Sequence, residues 1–160
     1  MGAHKGATPA ISELVSHGIA HTVHHLSVEP GDDGFGKAAA RSLGVEESRV
    51  FKTLLARADG TPVVAIVPVS GNLALKSLAQ VMASKRCEMM DPRDAERLTG
   101  YVVGGISPLG QRQRVATVLD HSALEFPTIF VSGGRRDLDI ELSPHDLIAL
   151  CSAQVATISG

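Results

Sequence analysis

A chain of 160 residues, 44% apolar and 20% charged, has the size and balance of one globular domain spanning residues 1–160. Aromatic residues make up only 3%, so aliphatic side chains must fill the core. The formal net charge of −2 excludes the broad basic face of a free-standing DNA or RNA binder, so any RNA contact must be local, weak or shared with a partner.

Cys87 and Cys151 stand far apart without CxxC context, as reduced thiols of a cytoplasmic protein do, and form neither a disulfide framework nor a zinc site. Residues 1–6 lead into no apolar secretory segment. No run approaches the roughly 18 consecutive apolar residues of a membrane span.

Thr8-Pro9 predicts a helix start, with Thr8 as N-cap, Ile11, Leu14 and Val15 at helical spacing, and Gly18 ending the run. Residues 21–26 read as a strand, followed by a loop through Pro30, Gly31, Asp32, Asp33 and Gly34. A helix over 36–43 closes at Gly44. Strands over 49–58 and 61–69 meet at Asp59-Gly60, a strong hairpin signal between two apolar runs. Helical patterns occupy 75–83 and 92–98, the second capped by Asp91, with a short strand over 85–89 between them. Strand-like runs recur at 117–119, 128–131, 138–142 and 154–158, and Ser143-Pro144 opens a helix ending near Cys151. Strands outnumber helices without a regular βαβα alternation, which predicts a mixed α+β fold, an α/β arrangement of a mixed sheet or partly closed barrel flanked by helices.

Three segments are candidates for chemistry. Lys52 falls on one strand face with Val50, Leu54 and Ala56, while Phe51, Thr53 and Leu55 take the other, so an ammonium sits among apolar neighbours. It either snorkels to water or reaches into a pocket toward a phosphate or a polarised carbonyl. The run 100–110 holds four glycines and a proline, suited either to a structural turn or to backbone N–H groups approaching an oxyanion or phosphate. In the third segment a strand enters the turn Ser132-Gly133-Gly134-Arg135-Arg136 and leaves through Leu138-Asp139-Ile140. Asp139 faces either solvent or a site, and the arginines are solvated or suited to phosphate. His17, His21, His24 and His25 are dense, but His24 and His25 point to opposite faces and no HExxH or acid cluster accompanies them. No metal or cofactor is therefore expected, and no serine elbow, Walker loop or dinucleotide fingerprint is present.

Taken together, Lys52-Thr53-Leu54-Leu55, the run 99–111 around Gly-Gly-Ile-Ser-Pro-Leu-Gly, and Val131-Ser132-Gly133-Gly134 through Leu142 resemble the YbaK/EbsC family of Cys-tRNA(Pro) deacylases. That family is related to the editing domain inserted in bacterial prolyl-tRNA synthetases. The resemblance runs from Thr8-Pro9 to about Ile148 with three motifs in register. It implies a barrel-like mixed sheet with helices around it, and hydrolysis of cysteine wrongly attached to proline tRNA, or also of Cys-tRNA(Cys). It matches Lys52 to the family's essential lysine, puts Gly104 and Gly105 in the catalytic loop and places Phe35 at the pocket mouth. Thr53, Ile106, Ser107, Pro108, Ser132, Gly134 and Asp139 then bind substrate. Leu26 stands where relatives often carry a tyrosine. The implied nucleophile is the substrate cysteine's own thiol, which fits the missing protein triad and leaves Cys87 and Cys151 structural. The implied partners are the 3′ CCA end of a mischarged tRNA and prolyl-tRNA synthetase in a transient complex, with the synthetase carrying most RNA contacts. The alternatives are a deacylase of another mischarged tRNA, such as Ala-tRNA(Pro), using water, or a non-catalytic module binding nucleotides or the synthetase.

Overall fold

Three polar-Pro pairs start helices here by the same physics. The side chain of Thr8, Asp91 or Ser143 accepts an orphan N–H of the first turn while the proline, which lacks one, takes the first helical position. The structure, a computed structural model describing residues 7–27 and 31–160, uses all three, in α1 (Pro9–Ser16), α4 (Pro92–Thr99) and α5 (Pro144–Cys151). Residues 1–6 and Pro30, read above as a non-secretory start and a loop residue, lie outside the described residues. Two further helices, α2 (Gly34–Leu43) and α3 (Leu75–Val81), complete the α-helices among the described residues, beside short 3-10 turns at Glu47–Arg49 and His121–Glu125. Gly44 closes α2 in the left-handed region, as its position predicts.

β2 (Phe51–Ala58) and β3 (Thr61–Pro68) form the expected hairpin, with Asp59 and Gly60 both at positive φ, the twist a two-residue turn requires. β4 (Cys87–Met89) pairs antiparallel with the other edge of β2. On the far side, β5 (Ala116–Asp120) runs parallel to β3, and β8 (Gln154–Ala156), shorter than expected, runs parallel to β5. A second sheet is antiparallel throughout, in the order β1 (Thr22–His25), β7 (Leu138–Leu142), β6 (Ile129–Arg135). The mixed α+β architecture is therefore present, with its strands in two sheets joined by a parallel bridge between Val50 and Phe130.

The main core lies between the sheets and α1, α4 and α5, filled by aliphatic side chains such as Leu14, Ile66, Leu119, Ile140, Leu142 and Leu147, all nearly inaccessible. Leu26 belongs to a separate cluster with Ala39, Ala40, Val50, Val69 and Phe130. Among the described residues no helix is long and apolar enough to cross a membrane.

Between α4 and β5 the chain runs through residues 100–115 without helix or strand, so its polar backbone must find partners elsewhere. Gly100, left-handed, ends α4. Tyr101, buried, donates its hydroxyl to Leu109 O at 2.7 Å, closing the loop on itself. Ser107 Oγ accepts Leu109 N–H, and Glu13 on α1 accepts Gly110 N–H. Gly134 of β6 packs under the Tyr101 ring, where a Cβ would lie 2.8 Å from Cε1. Tyr101→Phe keeps this packing but leaves a buried carbonyl unpaired, at a cost of about 1–3 kcal/mol. We expect a Tm lowered by several degrees, at roughly 2–4 °C per kcal/mol for a chain of this size. An unchanged melt would show that the bond contributes nothing.

Candidate active site

Where Val50 bridges Phe130, the two sheets meet, and beyond that bridge a cavity of about 300 Å³ opens between them. That volume is at the small end for ligand sites and suits a small group more than a whole nucleotide chain. β2 supplies one wall, including Lys52 and Thr53. Ser132 of β6 and Asp139 of β7, directly opposite each other in register, supply another. Met89, Met90 and the α4 residues Pro92 and Ala95 form an apolar side, and Phe35, Val103, Gly104, Ile106 and Arg136 surround the rest.

The electrostatics are unusual for so apolar a place. Lys52 is half-buried, and burial pulls its ammonium below the ordinary lysine value, with Lys37 acting in the same direction. No ion pair or side-chain hydrogen bond to Lys52 exists among the described residues, whereas Arg136, the other cation lining the cavity, is bonded to Val103 O. Asp139 is 6% exposed, and burial alone pushes its carboxyl up to about 7. Thr53 is nearly as buried, and its hydroxyl has no hydrogen-bond partner among the described residues. Buried polar groups are almost always paired, so a half-buried cation, a buried carboxyl and a buried hydroxyl, all without partners among the described residues, mark this space as a candidate site for polar groups of a ligand.

The glycine run contributes backbone. Gly104 lies at φ +91°, where other residues are strained, and the Phe35 ring lies 2.6 Å from the position a Cβ would take there. Gly105 packs against the backbone of Arg135 and Arg136, with a Cβ position 2.9 Å from both Arg135 C and Arg136 N. Its N–H is committed to Val102 O at 2.9 Å, so it is not a free donor. No hydrogen bond among the described residues uses the Gly104 N–H.

Seven of the residues singled out from the sequence line the cavity: Lys52, Phe35, Thr53, Gly104, Ile106, Ser132 and Asp139. Gly105, Ser107, Pro108 and Gly134 do not. Ser107 is fully buried and caps the turn at Leu109, Pro108 borders a separate shallow pocket with Cys151, and Gly134 packs on Tyr101. Phe35 is not on the preceding loop, as its glycine neighbours suggested, but in the first turn of α2 and half-buried. Leu26, at the position of the expected tyrosine, packs in the core outside the cavity. Sequence reasoning left out the wall formed by Met89, Met90, Pro92 and Ala95, and read Arg136 only as solvated or suited to phosphate, not as a partner of the glycine loop. The Arg-Arg pair after two glycines was the available signal.

Cys87 is buried, and burial pushes the Cys151 thiol up to about 12; neither lines the cavity. The His24–Glu141 ion pair at 2.9 Å has no third ligating side chain grouped with it among the described residues.

Comparison with known proteins identifies the family and agrees with the fold. Residues 35–150 match the family model of the aminoacyl-tRNA editing domain. The chain is 40% identical over 136 residues to EbsC of Enterococcus faecalis, a match spanning 84% of this chain and 78% of the relative. EbsC is assigned, by inference, as a Cys-tRNA(Pro)/Cys-tRNA(Cys) deacylase. The chain is also 33% identical over 121 residues to a proline–tRNA ligase of Geobacter sp. strain M21, covering 76% of this chain and 21% of the ligase. A solved structure of a protein assigned by inference as a trans-editing enzyme for prolyl tRNA synthetase superposes with a TM-score of 0.85 over 99% of each chain, at 24% identity, a likeness of fold. A family model matched over most of the chain and a relative at this identity lead to one conclusion: the protein belongs to the aminoacyl-tRNA editing domain family.

Proposed function

We propose that the cavity receives the aminoacyl end of a mischarged tRNA and hydrolyses its ester, with cysteine on tRNA(Pro) as the main substrate and Cys-tRNA(Cys) as a further one. The observation that carries this reading is an ammonium without an acidic partner, Lys52, held in a small apolar cavity beside a glycine peptide. Such a cation suits a terminal phosphate or the oxygen of a carbonyl gaining charge. Among the described residues neither hydroxyl lining the space, Ser132 or Thr53, is hydrogen-bonded to a base, which favours a nucleophile brought by the substrate. In that step the cysteine thiol gives up its proton and its sulfur bonds to the ester carbonyl carbon. The bond to the ribose oxygen then breaks and that oxygen takes the proton, releasing the tRNA; water opens the cyclic thioester left behind. The protein's share is to hold the reactive conformer, which can supply several kcal/mol, and to stabilise the oxyanion through the Gly104 N–H and Lys52.

A net charge of −2 fits a domain that holds only the CCA end while prolyl-tRNA synthetase carries the remaining RNA contacts in a transient cytoplasmic complex. The relation of this fold to a segment of proline–tRNA ligases supports that partnership.

A panel of Cys-tRNA(Pro), Cys-tRNA(Cys) and Ala-tRNA(Pro) tests the function. Hydrolysis of the two cysteinyl substrates with the alanyl one spared is expected. Equal hydrolysis of Ala-tRNA(Pro) would show that water is the nucleophile, and no hydrolysis of any would leave a binding module. Lys52→Ala should lower kcat/KM by about 10²-fold or more, the scale of one lost oxyanion-stabilising group. Its Tm should hold or rise, because a partly desolvated charge is removed. A folded Lys52→Ala protein of parental activity would refute the site.

Asp139 gives a pH dependence of stability. The native carboxyl keeps its proton to about pH 7, whereas the unfolded chain loses it near the ordinary value of about 3.9. Between those limits the native state binds more protons, so this group's contribution falls as pH rises and is flat beyond them. Asp33, Asp120 and Glu141, whose values are lowered, act in the opposite sense, so the comparison must be with Asp139→Asn. The Asn variant should gain Tm over the parent progressively from pH 4 to pH 8. A pH-independent difference would mean that Asp139 ionises normally.

A further inference from the structure

Arg136 is exposed at the β6–β7 turn, yet two of its guanidinium nitrogens are engaged by the protein itself. Nε and Nη2 donate to the same acceptor, Val103 O, at 3.0 and 2.9 Å, and its Cζ lies 4.6 Å from the centroid of the Phe35 ring. At the other end of the same residue, Val103 N–H donates to Glu96 Oε2 on α4 at 2.9 Å. Val103 is thus clamped through its backbone between an acid and an arginine. Its side chain contributes little anchorage, being 41% exposed, as Val102 is at 50%.

The consequence lies in the geometry of one peptide. Val103 C=O and Gly104 N–H belong to the same planar unit, and no peptide in the described chain is cis, so the two groups point in opposite directions. Fixing the carbonyl fixes the direction of the N–H. A cation on the carbonyl also polarises the unit and makes the N–H a stronger donor. Phe35, pressed edge-on against Gly104 and covered on one face by Arg136, closes the third side.

We infer that Arg136 is a positioning residue for deacylation, orienting and polarising the Val103–Gly104 peptide so that its N–H meets the oxyanion, with Glu96 holding the other end of Val103. This rests on the assignment of Gly104 N–H as the oxyanion donor. It differs from the reading of Arg136 as a phosphate contact in assigning the fork of Nε and Nη2 to the loop carbonyl, and the test below separates the two.

The two ends of the clamp have opposite charge, and that provides the test. Single-turnover deacylation of Cys-tRNA(Pro) is measured across enzyme and salt concentration for Arg136→Ala, Arg136→Lys and Glu96→Ala, with melts to compare at equal folded fraction. Both alanine variants should lower the saturated rate about 10- to 100-fold, part of the effect of losing a donor outright, while the half-saturating concentration changes little. Arg136→Lys, which keeps a cationic donor but not the fork, should recover part of the rate. A phosphate role predicts the reverse: weaker binding and a shallower salt slope for Arg136→Ala, with an unchanged saturated rate, and tighter or unchanged binding with a normal rate for Glu96→Ala. Either that pattern, or a rate loss that vanishes at equal folded fraction, overturns the inference. Lys52→Ala assayed alongside separates the two levels. If it is inactive while the Arg136 variants are fully active, the clamp alone is refuted; if it is active, the reading beneath the clamp fails with it.

Discussion

The site depends on a contact that only glycine permits, the approach of the 100–110 loop to the β6–β7 turn backbone against backbone. At Gly105 a single methyl group would stand 2.9 Å from two main-chain atoms of Arg135 and Arg136, where no flexible side chain can yield. That approach brings Val103 within reach of Arg136 and sets Gly104 at the cavity mouth. On the opposite side of the same turn, Gly134 meets Tyr101, while Thr8 caps α1 and donates its hydroxyl to Gly133 O. Two glycines on one strand and two on one loop therefore serve packing first. The geometry of the proposed site is a product of that packing.

The cavity is also expensive. Asp139 and the Thr53 hydroxyl, and Lys52 in part, are removed from water without partners from the described residues, against the ordinary rule that buried polar groups are paired. The apolar framework around them, from Phe51 and Leu55 to Met90, makes this tolerable and keeps the local dielectric low, which strengthens any charge interaction a ligand makes. A substrate that brings an ester oxygen, an ammonium and a thiol can satisfy what the chain leaves open. The same features that reduce stability in the empty protein are those a bound aminoacyl group would relieve.

Much of the framework was legible because its causes are local. Thr8-Pro9, Asp91-Pro92 and Ser143-Pro144 start helices by capping within three residues, and Asp59-Gly60 closes a hairpin by its own dihedral preference. Lys52 was legible as a charge inside an apolar alternation. What escaped was set by long-range contact. The division of the strands into two sheets follows from pairing such as β3 with β5, more than fifty positions apart, which periodicity does not encode. Phe35 between two glycines reads as a loop residue because glycine weakens the helical signal, yet Gly34 begins α2 and packing holds the turn. Ser107, Pro108 and Gly134 share motifs with cavity residues but are spent on the loop's own structure. Arg136 is marked locally only as half of an Arg-Arg pair after two glycines; its partner carbonyl is 33 positions away.

The central claim is that the ester carbonyl is held between Lys52 and the Gly104 peptide. It is tested most directly by a crystal structure with a non-hydrolysable 3′-cysteinylamino-adenosine bound. The carbonyl oxygen is predicted to lie within hydrogen-bond distance, about 3 Å, of Gly104 N and on the Lys52 side of the cavity, with Arg136 still on Val103 O. A carbonyl bound to Thr53 and Ser132 instead, with the Gly104 N–H turned away, would contradict it.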